Sequence, residues 1–145
     1  MKSENQAILQ FPSRSCNEAL ARGCVAVFAA QLDPTLDELN DMKTAVSEAV
    51  TNCIVHAYPD ELGTVTMRMR ILEDSVLEIM IKDKGCGIAD IQKARQPMFT
   101  TGGSERSGMG FTIMESFMSS VRVLSQPGKG TTVYLRRKIV RRSRA

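Results

Sequence analysis

The sequence predicts an α+β fold of two layers, with three main helices on one face of a mostly antiparallel sheet. Over residues 46–57, apolar residues recur at spacings of three and four, which is typical of a helix with one buried side. Between residues 64 and 83 they alternate with polar residues, as in strands with one buried and one wet face. After a short first strand, two helices therefore precede the paired strands, and a third helix and a final hairpin follow.

The first half begins with a short predicted strand at residues 7–11, AILQF, followed by a helix over residues 15–31. Asp33 and Pro34 then provide an N-cap and a first helical residue, so a long second helix is expected over residues 33–57. Turn residues after this segment end the helix.

The second half supplies most of the sheet. Strands are predicted at residues 64–71 and 76–83, and the short connection between them predicts a hairpin. A third helix is expected to start near Gly108, and the turn PGKG joins two last strands at 121–126 and 131–139. No internal repeat or low-complexity block interrupts this order, so we expect a single domain over residues 1–145.

Composition narrows the class of protein. With 145 residues, 43% hydrophobic and 24% charged, the chain has the make-up of an ordinary globular domain. It contains no run long enough for a membrane span and no signal peptide. The four cysteines show neither a C-x-x-C pair nor a zinc spacing, which indicates reduced, buried thiols and a cytoplasmic location.

The net charge of +3 is unevenly distributed. Residues 136–144 hold six of the 19 basic residues, which leaves 13 basic against 16 acidic residues in the remaining chain. We therefore interpret residues 136–145 as a basic, frayed tail. With 5% aromatic residues and no Trp, a surface for stacking on single-stranded nucleic acid is not expected.

One helix carries an unusual column of polar residues. Glu48, Asn52 and His56 fall at i, i+4 and i+8, directly beside the apolar stripe of the second helix. A carboxylate, an amide and an imidazole at the edge of a buried face suggest a functional site. For His56, a structural hydrogen-bonded role is favoured over a catalytic one.

Two glycine-containing segments suggest a nucleotide site. In DKGCG, Asp83 ends a strand, where its carboxylate can accept a hydrogen bond, and Gly85 and Gly87 allow close backbone approach. RSGMGF opens the third helix with Ser107 and Gly108, and free N–H groups at a helix start suit phosphate. Taken alone, each has an ordinary alternative, a strand-ending turn and a plain helix start.

In this order, the helix with Glu-x-x-x-Asn, the D-x-G-x-G segment and the G-x-G helix start resemble the GHKL ATPase and kinase superfamily. Within it, four segments resemble the anti-sigma-F serine kinases of sporulating bacteria: LDPTLDELNDMKTAVSEAVTNCIVHAY, ARQPMFTT, RSGMGFTIMESFM and KGTTVYL. The resemblance implies the α/β sandwich known as the Bergerat fold, bound ATP or ADP with Mg²⁺, and a homodimer. It also implies that the chain inhibits sigma factor F and phosphorylates a serine of an anti-anti-sigma protein of the STAS type.

The resemblance assigns roles to single residues. Glu48 matches the general base and Asn52 the magnesium ligand. Asp83 matches the acceptor for the adenine amine, with Gly87 beside the base and Thr132 assisting through water. Arg22 in the first helix is expected to bind an acidic group on both protein partners. Further nucleotide-binding residues are expected in the D-x-G-x-G loop, in a lid over residues 96–107 and at the third helix: Gly85, Thr100, Thr101, Arg106, Ser107, Gly108, Met109, Gly110 and Phe111.

Alternative functions stay open to different degrees. A histidine kinase core needs a phosphoacceptor histidine on a separate hairpin, and the one histidine here lies in the pocket helix. A gyrase- or Hsp90-type machine needs further domains, for which we expect no room. A general-stress anti-sigma-B kinase, or a nucleotide-dependent binding module without turnover, remains compatible with the motifs.

Overall fold

The computed structural model describes residues 2–88 and 110–140, which form a five-stranded sheet with helices on one face. The strands are β1 Ser3–Pro12, β2 Thr64–Leu72, β3 Val76–Asp83, β4 Ser120–Gln126 and β5 Gly130–Lys138. The helices are α1 Asn17–Ala29, α2 Leu36–Asn52 and α3 Gly110–Phe117. Short 3₁₀ turns cover Ala30–Leu32 and Glu73–Ser75, and a π-helical turn covers Cys53–Ala57. The predicted α+β class is confirmed.

The strand order is β1-β2-β3-β5-β4, and each neighbouring pair in this sheet is antiparallel. The alternation read from the sequence decides which side is buried. Val65 and Met67 of β2 and Ile79 and Ile81 of β3 point toward the helices, and each is at most 1% exposed. The helices cover this face through the apolar side of α2, which packs against both α1 and α3.

The start of α2 differs from the prediction. Asp33 has a left-handed backbone with φ of 51° and ends the preceding 3₁₀ turn, while Thr35 is the N-cap. The Thr35 hydroxyl accepts from the Glu38 N–H at 2.9 Å, and the Glu38 carboxylate accepts from the Thr35 N–H at 2.9 Å. This reciprocal capping box satisfies two backbone donors, so the helix starts at Leu36 rather than at Pro34.

The end of α2 also differs. The α-helix stops at Asn52, and a π-helical turn continues it to Ala57. His56 therefore belongs to the π-helical turn and not to the α-helix that carries Glu48 and Asn52.

The predicted basic tail is wrong for its first part. Arg136, Arg137 and Lys138 belong to β5, and Ile139 beyond them is fully buried. An Arg136 guanidinium nitrogen lies 2.7 Å from the buried Glu78 carboxylate, so an ion pair between strands holds this end in the sheet. Residues 141–145 lie outside the described residues.

The cysteines are free thiols, but only one is buried. Cys53 is buried and Cys24 is half-buried, whereas Cys16 and Cys86 are exposed, which corrects the expectation of buried thiols for these two. In the part of the chain that the structure describes, no helix is long and apolar enough to cross a membrane.

Candidate nucleotide site

The start of α3 lies against the polar edge of α2. A methyl group added at Gly110 would lie 3.4 Å from both terminal atoms of the Asn52 amide and 3.5 Å from Glu48 Oε2. Glu48 and Asn52 are both half-buried, one helical turn apart. The structure therefore brings together three residues that the sequence assigned to one site, although Gly110 is 58 positions from Asn52.

A second group forms at the end of β3. Asp83 is 6% exposed, and its Oδ1 accepts backbone N–H groups of Gly85 at 3.0 Å and of Thr131 at 3.1 Å. Its Oδ2 lies 3.5 Å from the thiol sulfur of Cys53. Burial raises the pKa of the Asp83 carboxyl, and these hydrogen bonds oppose part of that effect. The result is a buried acceptor with a fixed orientation.

The glycines around Asp83 are required by backbone packing. A Cβ at Gly85 would overlap the carbonyl oxygen of Ala57, and one at Gly87 would overlap that of Gln126. Gly87 also has a φ of +75°, which side chains rarely adopt. The expectation that these missing Cβ atoms make room for a ligand is thus corrected, because their places border protein backbone.

The strand register corrects the prediction for Thr132. In the β3–β5 pair, Asp83 is opposite Thr131 and Lys82 is opposite Thr132. Directly opposed residues share a sheet face, so Thr131 lies on the helix face with Asp83 and Thr132 on the outer face with Lys82. The sequence analysis named Thr132 instead of Thr131, because a shift of one position along a strand moves a side chain to the opposite face of the sheet.

Arg22 lies close to the same edge of α2. Its Nε is 3.6 Å from Glu18 Oε1, and Glu18 in turn accepts a hydrogen bond from the Ser47 hydroxyl. Between α1 and α2 is an open cavity of about 260 Å³. Its lining residues are Arg22, Asn40, Lys43, Thr44, Ser47 and Glu48. The cavity therefore joins the proposed partner residue to the proposed general base, and Lys43 adds a second positive charge that the sequence did not single out.

The remaining predicted site residues divide into two groups. Thr100, Thr101, Arg106, Ser107, Gly108 and Met109 lie outside the described residues. Phe111 is 7% exposed and belongs to the hydrophobic core, so its side chain packs rather than lines the site.

The donor set at Asn52 is compatible with Mg²⁺. Among the described residues, no group of three or more His, Cys, Asp or Glu side chains is placed to hold a metal ion. Mg²⁺ commonly takes one or two protein ligands and fills its other positions with water and substrate phosphate oxygens. A single amide oxygen next to the start of a helix, whose free N–H groups suit phosphate, fits that pattern.

The fold and the site define a class of protein. Residues 11–137 match the family described as histidine kinase-like ATPase domain. Among solved structures, the RsbU and RsbW domains of Rv1364c from Mycobacterium tuberculosis share the fold with a TM-score of 0.71 at 17% identity, covering 97% of this chain and 34% of that chain. The histidine kinase domain of a blue-light activated kinase from Erythrobacter litoralis has a TM-score of 0.58 at 19% identity, covering 84% of this chain and 61% of that one.

Proteins of similar sequence place the chain in a narrower group. The chain is 54% identical to the anti-sigma F factor of Geobacillus kaustophilus (strain HTA426) over 138 residues, 94% of each chain. It is 54% identical to that of Caldanaerobacter subterraneus subsp. tengcongensis over 142 residues, 97% of this chain and 99% of the relative. The chain therefore belongs to the histidine kinase-like ATPase domain family and, within it, to the anti-sigma F factors.

Proposed function

We propose that this chain is an ATP-dependent protein serine kinase that also inhibits sigma factor F. It binds ATP or ADP with Mg²⁺ and phosphorylates a serine of an anti-anti-sigma protein of the STAS type. The observation that carries the proposal is the closeness of Gly110 to Glu48 and Asn52. A Cβ added at Gly110 would lie 3.4 Å from the Asn52 amide and 3.5 Å from Glu48 Oε2. This arrangement combines a carboxylate, an amide oxygen and a helix start, which are the groups that phosphoryl transfer needs.

At the phosphate end, we assign separate roles to the two α2 residues. The Asn52 amide oxygen would hold Mg²⁺, which supplies positive charge to the phosphate oxygens when bound. The Glu48 carboxylate accepts the proton of the incoming serine hydroxyl as that oxygen attacks the γ-phosphorus of ATP, and the bond to the bridging oxygen breaks so that ADP leaves. The backbone at the start of α3, including Gly110, contributes N–H donors to the phosphates.

At the base end, the Asp83 carboxylate accepts a hydrogen bond from the exocyclic amine of adenine. The supporting observation is its buried carboxylate, whose Oδ1 already has two backbone donors. Oδ2 is therefore the oxygen that can accept a hydrogen bond from a ligand. Gly85 and Gly87 keep the loop beside it, and the Thr131 hydroxyl replaces Thr132 as the neighbouring polar group.

The cavity between α1 and α2 supports the assignment of partners. Arg22 and Lys43 place two positive charges in a space that Glu48 also lines. An acidic group of the sigma factor or of the anti-anti-sigma protein would find complementary charge there, and the substrate serine would be near Glu48. We extend the proposal to a homodimer in the cytoplasm that contacts neither nucleic acid nor membrane.

A transfer assay tests the whole proposal. The full chain is incubated with γ-labelled ATP and Mg²⁺, once with a STAS-type anti-anti-sigma protein and once with sigma factor F. We expect label on a serine of the first protein and a stable, unlabelled complex with the second. Nucleotide binding without any label would favour a binding module without turnover. Label on a general-stress anti-anti-sigma protein alone would favour the anti-sigma-B type.

The role of Arg22 has its own test. Arg22→Glu should weaken sigma factor binding by about 2 kcal/mol or more. The substitution removes the positive charge that is proposed to pair with an acidic group of the sigma factor and places a like negative charge opposite that group. Titration of the sigma factor and of ADP on the same variant measures both affinities, and ADP binding should be unchanged. Arg14→Glu, an exposed arginine before α1, is the matched control. Sigma binding that survives in Arg22→Glu would remove this residue from the interface.

A further inference from the structure

The buried thiol of Cys53 lies at the boundary between the two ends of the candidate site. Cys53 directly follows Asn52 and begins the π-helical turn. It is 4% exposed, and its sulfur is 3.5 Å from Asp83 Oδ2. Neither the sequence motifs nor the proposed function assigns this cysteine a role.

The thiol is the donor in this contact. An ionised carboxylate only accepts hydrogen bonds, so the Cys53 thiol donates its S–H to Asp83 Oδ2. In the described part of the chain, this is the one hydrogen bond that the structure gives Oδ2.

The contact completes the fixation of the carboxylate. The backbone N–H groups of Gly85 and Thr131 both donate to Oδ1. The donor to Oδ2 is the Cys53 thiol. A carboxylate oxygen accepts hydrogen bonds along two lone-pair directions. With the thiol occupying one direction, the second direction of Oδ2 is the one left for a ligand N–H.

The π-helical turn that begins at Cys53 also contacts the loop after Asp83. The Ala57 carbonyl accepts the Cys86 N–H at 3.1 Å, and the His56 carbonyl accepts the Cys86 thiol at 3.0 Å. These contacts attach the end of the turn to the loop after Asp83, while Cys53 attaches its beginning. The turn thus contacts the D-x-G-x-G loop at both of its ends.

We propose that Cys53 is a positioning residue for adenine recognition. Its thiol orients the Asp83 carboxylate so that Oδ2 accepts a hydrogen bond from the exocyclic amine of the base. The inference rests on the proposed adenine role of Asp83. It predicts an effect on the choice between adenine and hypoxanthine, since only adenine carries the exocyclic amine, and little effect on the phosphates.

The test compares the affinities of ADP and IDP on each protein preparation by calorimetry. A ratio of two affinities on one preparation does not depend on the fraction of folded protein. Cys53→Ala should lower the preference for ADP about five-fold, as expected for one net hydrogen bond. Cys53→Ser restores a donor and should recover most of the preference, which a purely packing role would not do. Cys16→Ala, an exposed cysteine outside the site, should match the unmodified protein.

Two outcomes separate the possible failures. If Asp83→Asn keeps the preference for ADP, the adenine role of Asp83 is wrong and the proposed function loses its base-recognition step. If Asp83→Asn removes the preference while Cys53→Ala keeps it, Asp83 stands and the positioning role of Cys53 is overturned.

Discussion

The base end and the phosphate end of the candidate site differ in how their polar groups are held in place. At the base end, a buried carboxylate is held by backbone N–H groups from β5 and from the loop after β3. At the phosphate end, Glu48 and Asn52 are half-buried side chains on one helix, and Gly110 approaches them from another. Changes at the base end should therefore disturb structure and binding together, whereas changes at the phosphate end should remove chemistry and leave the fold intact.

The largest effect is expected for Asn52→Ala. Without its amide oxygen, Mg²⁺ loses the proposed protein ligand, and transfer should fall roughly 1,000-fold, equivalent to several kcal/mol of transition-state stabilisation. Rates of serine phosphorylation and ADP titrations with and without Mg²⁺ measure the effect, while the thermal midpoint should stay close to that of the unmodified chain. If Mg²⁺ still tightens ADP binding to the same extent, Asn52 is not the ligand.

A smaller loss is expected for Glu48→Gln. The amide keeps the shape of the side chain but cannot accept the serine proton, so transfer should fall by about 100-fold or more. Nucleotide affinity, measured on the same preparation, should remain within a few-fold of the unmodified protein. Normal phosphorylation by this variant would contradict the assignment of a general base.

The base end should respond differently to a change of one methyl group. In Gly85→Ala, the new Cβ overlaps the Ala57 carbonyl, so the free energy of unfolding should drop by about 2 kcal/mol and ADP binding should weaken with it. Gly23→Ala is the control, because its added Cβ would have no neighbour within 4 Å apart from the adjacent residues and the backbone of its own helix. Since Gly23 is inside α1, that change should stabilise by about 0.5–1 kcal/mol. Denaturant unfolding measures both variants, and equal effects would refute the packing role of Gly85.

The smallest expected effect is a pH dependence at the base end. Because burial raises the pKa of Asp83, protonation begins at a higher pH than for an ordinary carboxyl, and the neutral acid is a weaker acceptor. ADP affinity should therefore fall a few-fold as the pH is lowered through this raised pKa. The contribution of Asp83 to stability has the opposite sign, since a folded-state pKa above the unfolded one means that stability falls as the pH rises.

Calorimetry of ADP binding over the acid range, with Asp83→Asn for comparison, separates the effect of Asp83 on ADP affinity from the effects of other carboxyl groups. Burial alone would raise the pKa of Glu78, but hydrogen bonds from Arg70 and Arg136 outweigh it and hold that pKa below its usual value. The contribution of Glu78 to stability is therefore lost as the pH falls. An acid dependence of ADP affinity that persists unchanged in Asp83→Asn would exclude Asp83 as its source.

Much of the fold and the phosphate end could be predicted because the signals are local. The alternation in β2 and β3 assigned their buried faces correctly, and the spacing of Glu48 and Asn52 placed both on one edge of α2. The prediction failed where local signals compete. Pro34 suggested a helix start, but the capping box of Thr35 and Glu38 moved it. The basic residues around Arg136 suggested a frayed end, but a buried partner on β3 holds them in the sheet.

By itself, the sequence determined the types and order of the elements and the pairing of a carboxylate with an amide on one helix edge, since periodicity relates residues only a few positions apart. The tertiary structure decided which threonine faces Asp83, because the register depends on pairing between residues 48 positions apart. It also decided that the thiol of Cys53, directly after α2, contacts that carboxylate and that Arg22 and Glu48 line the same cavity. Contacts of this kind depend on how helices pack on the sheet, and no local pattern along the chain encodes that arrangement.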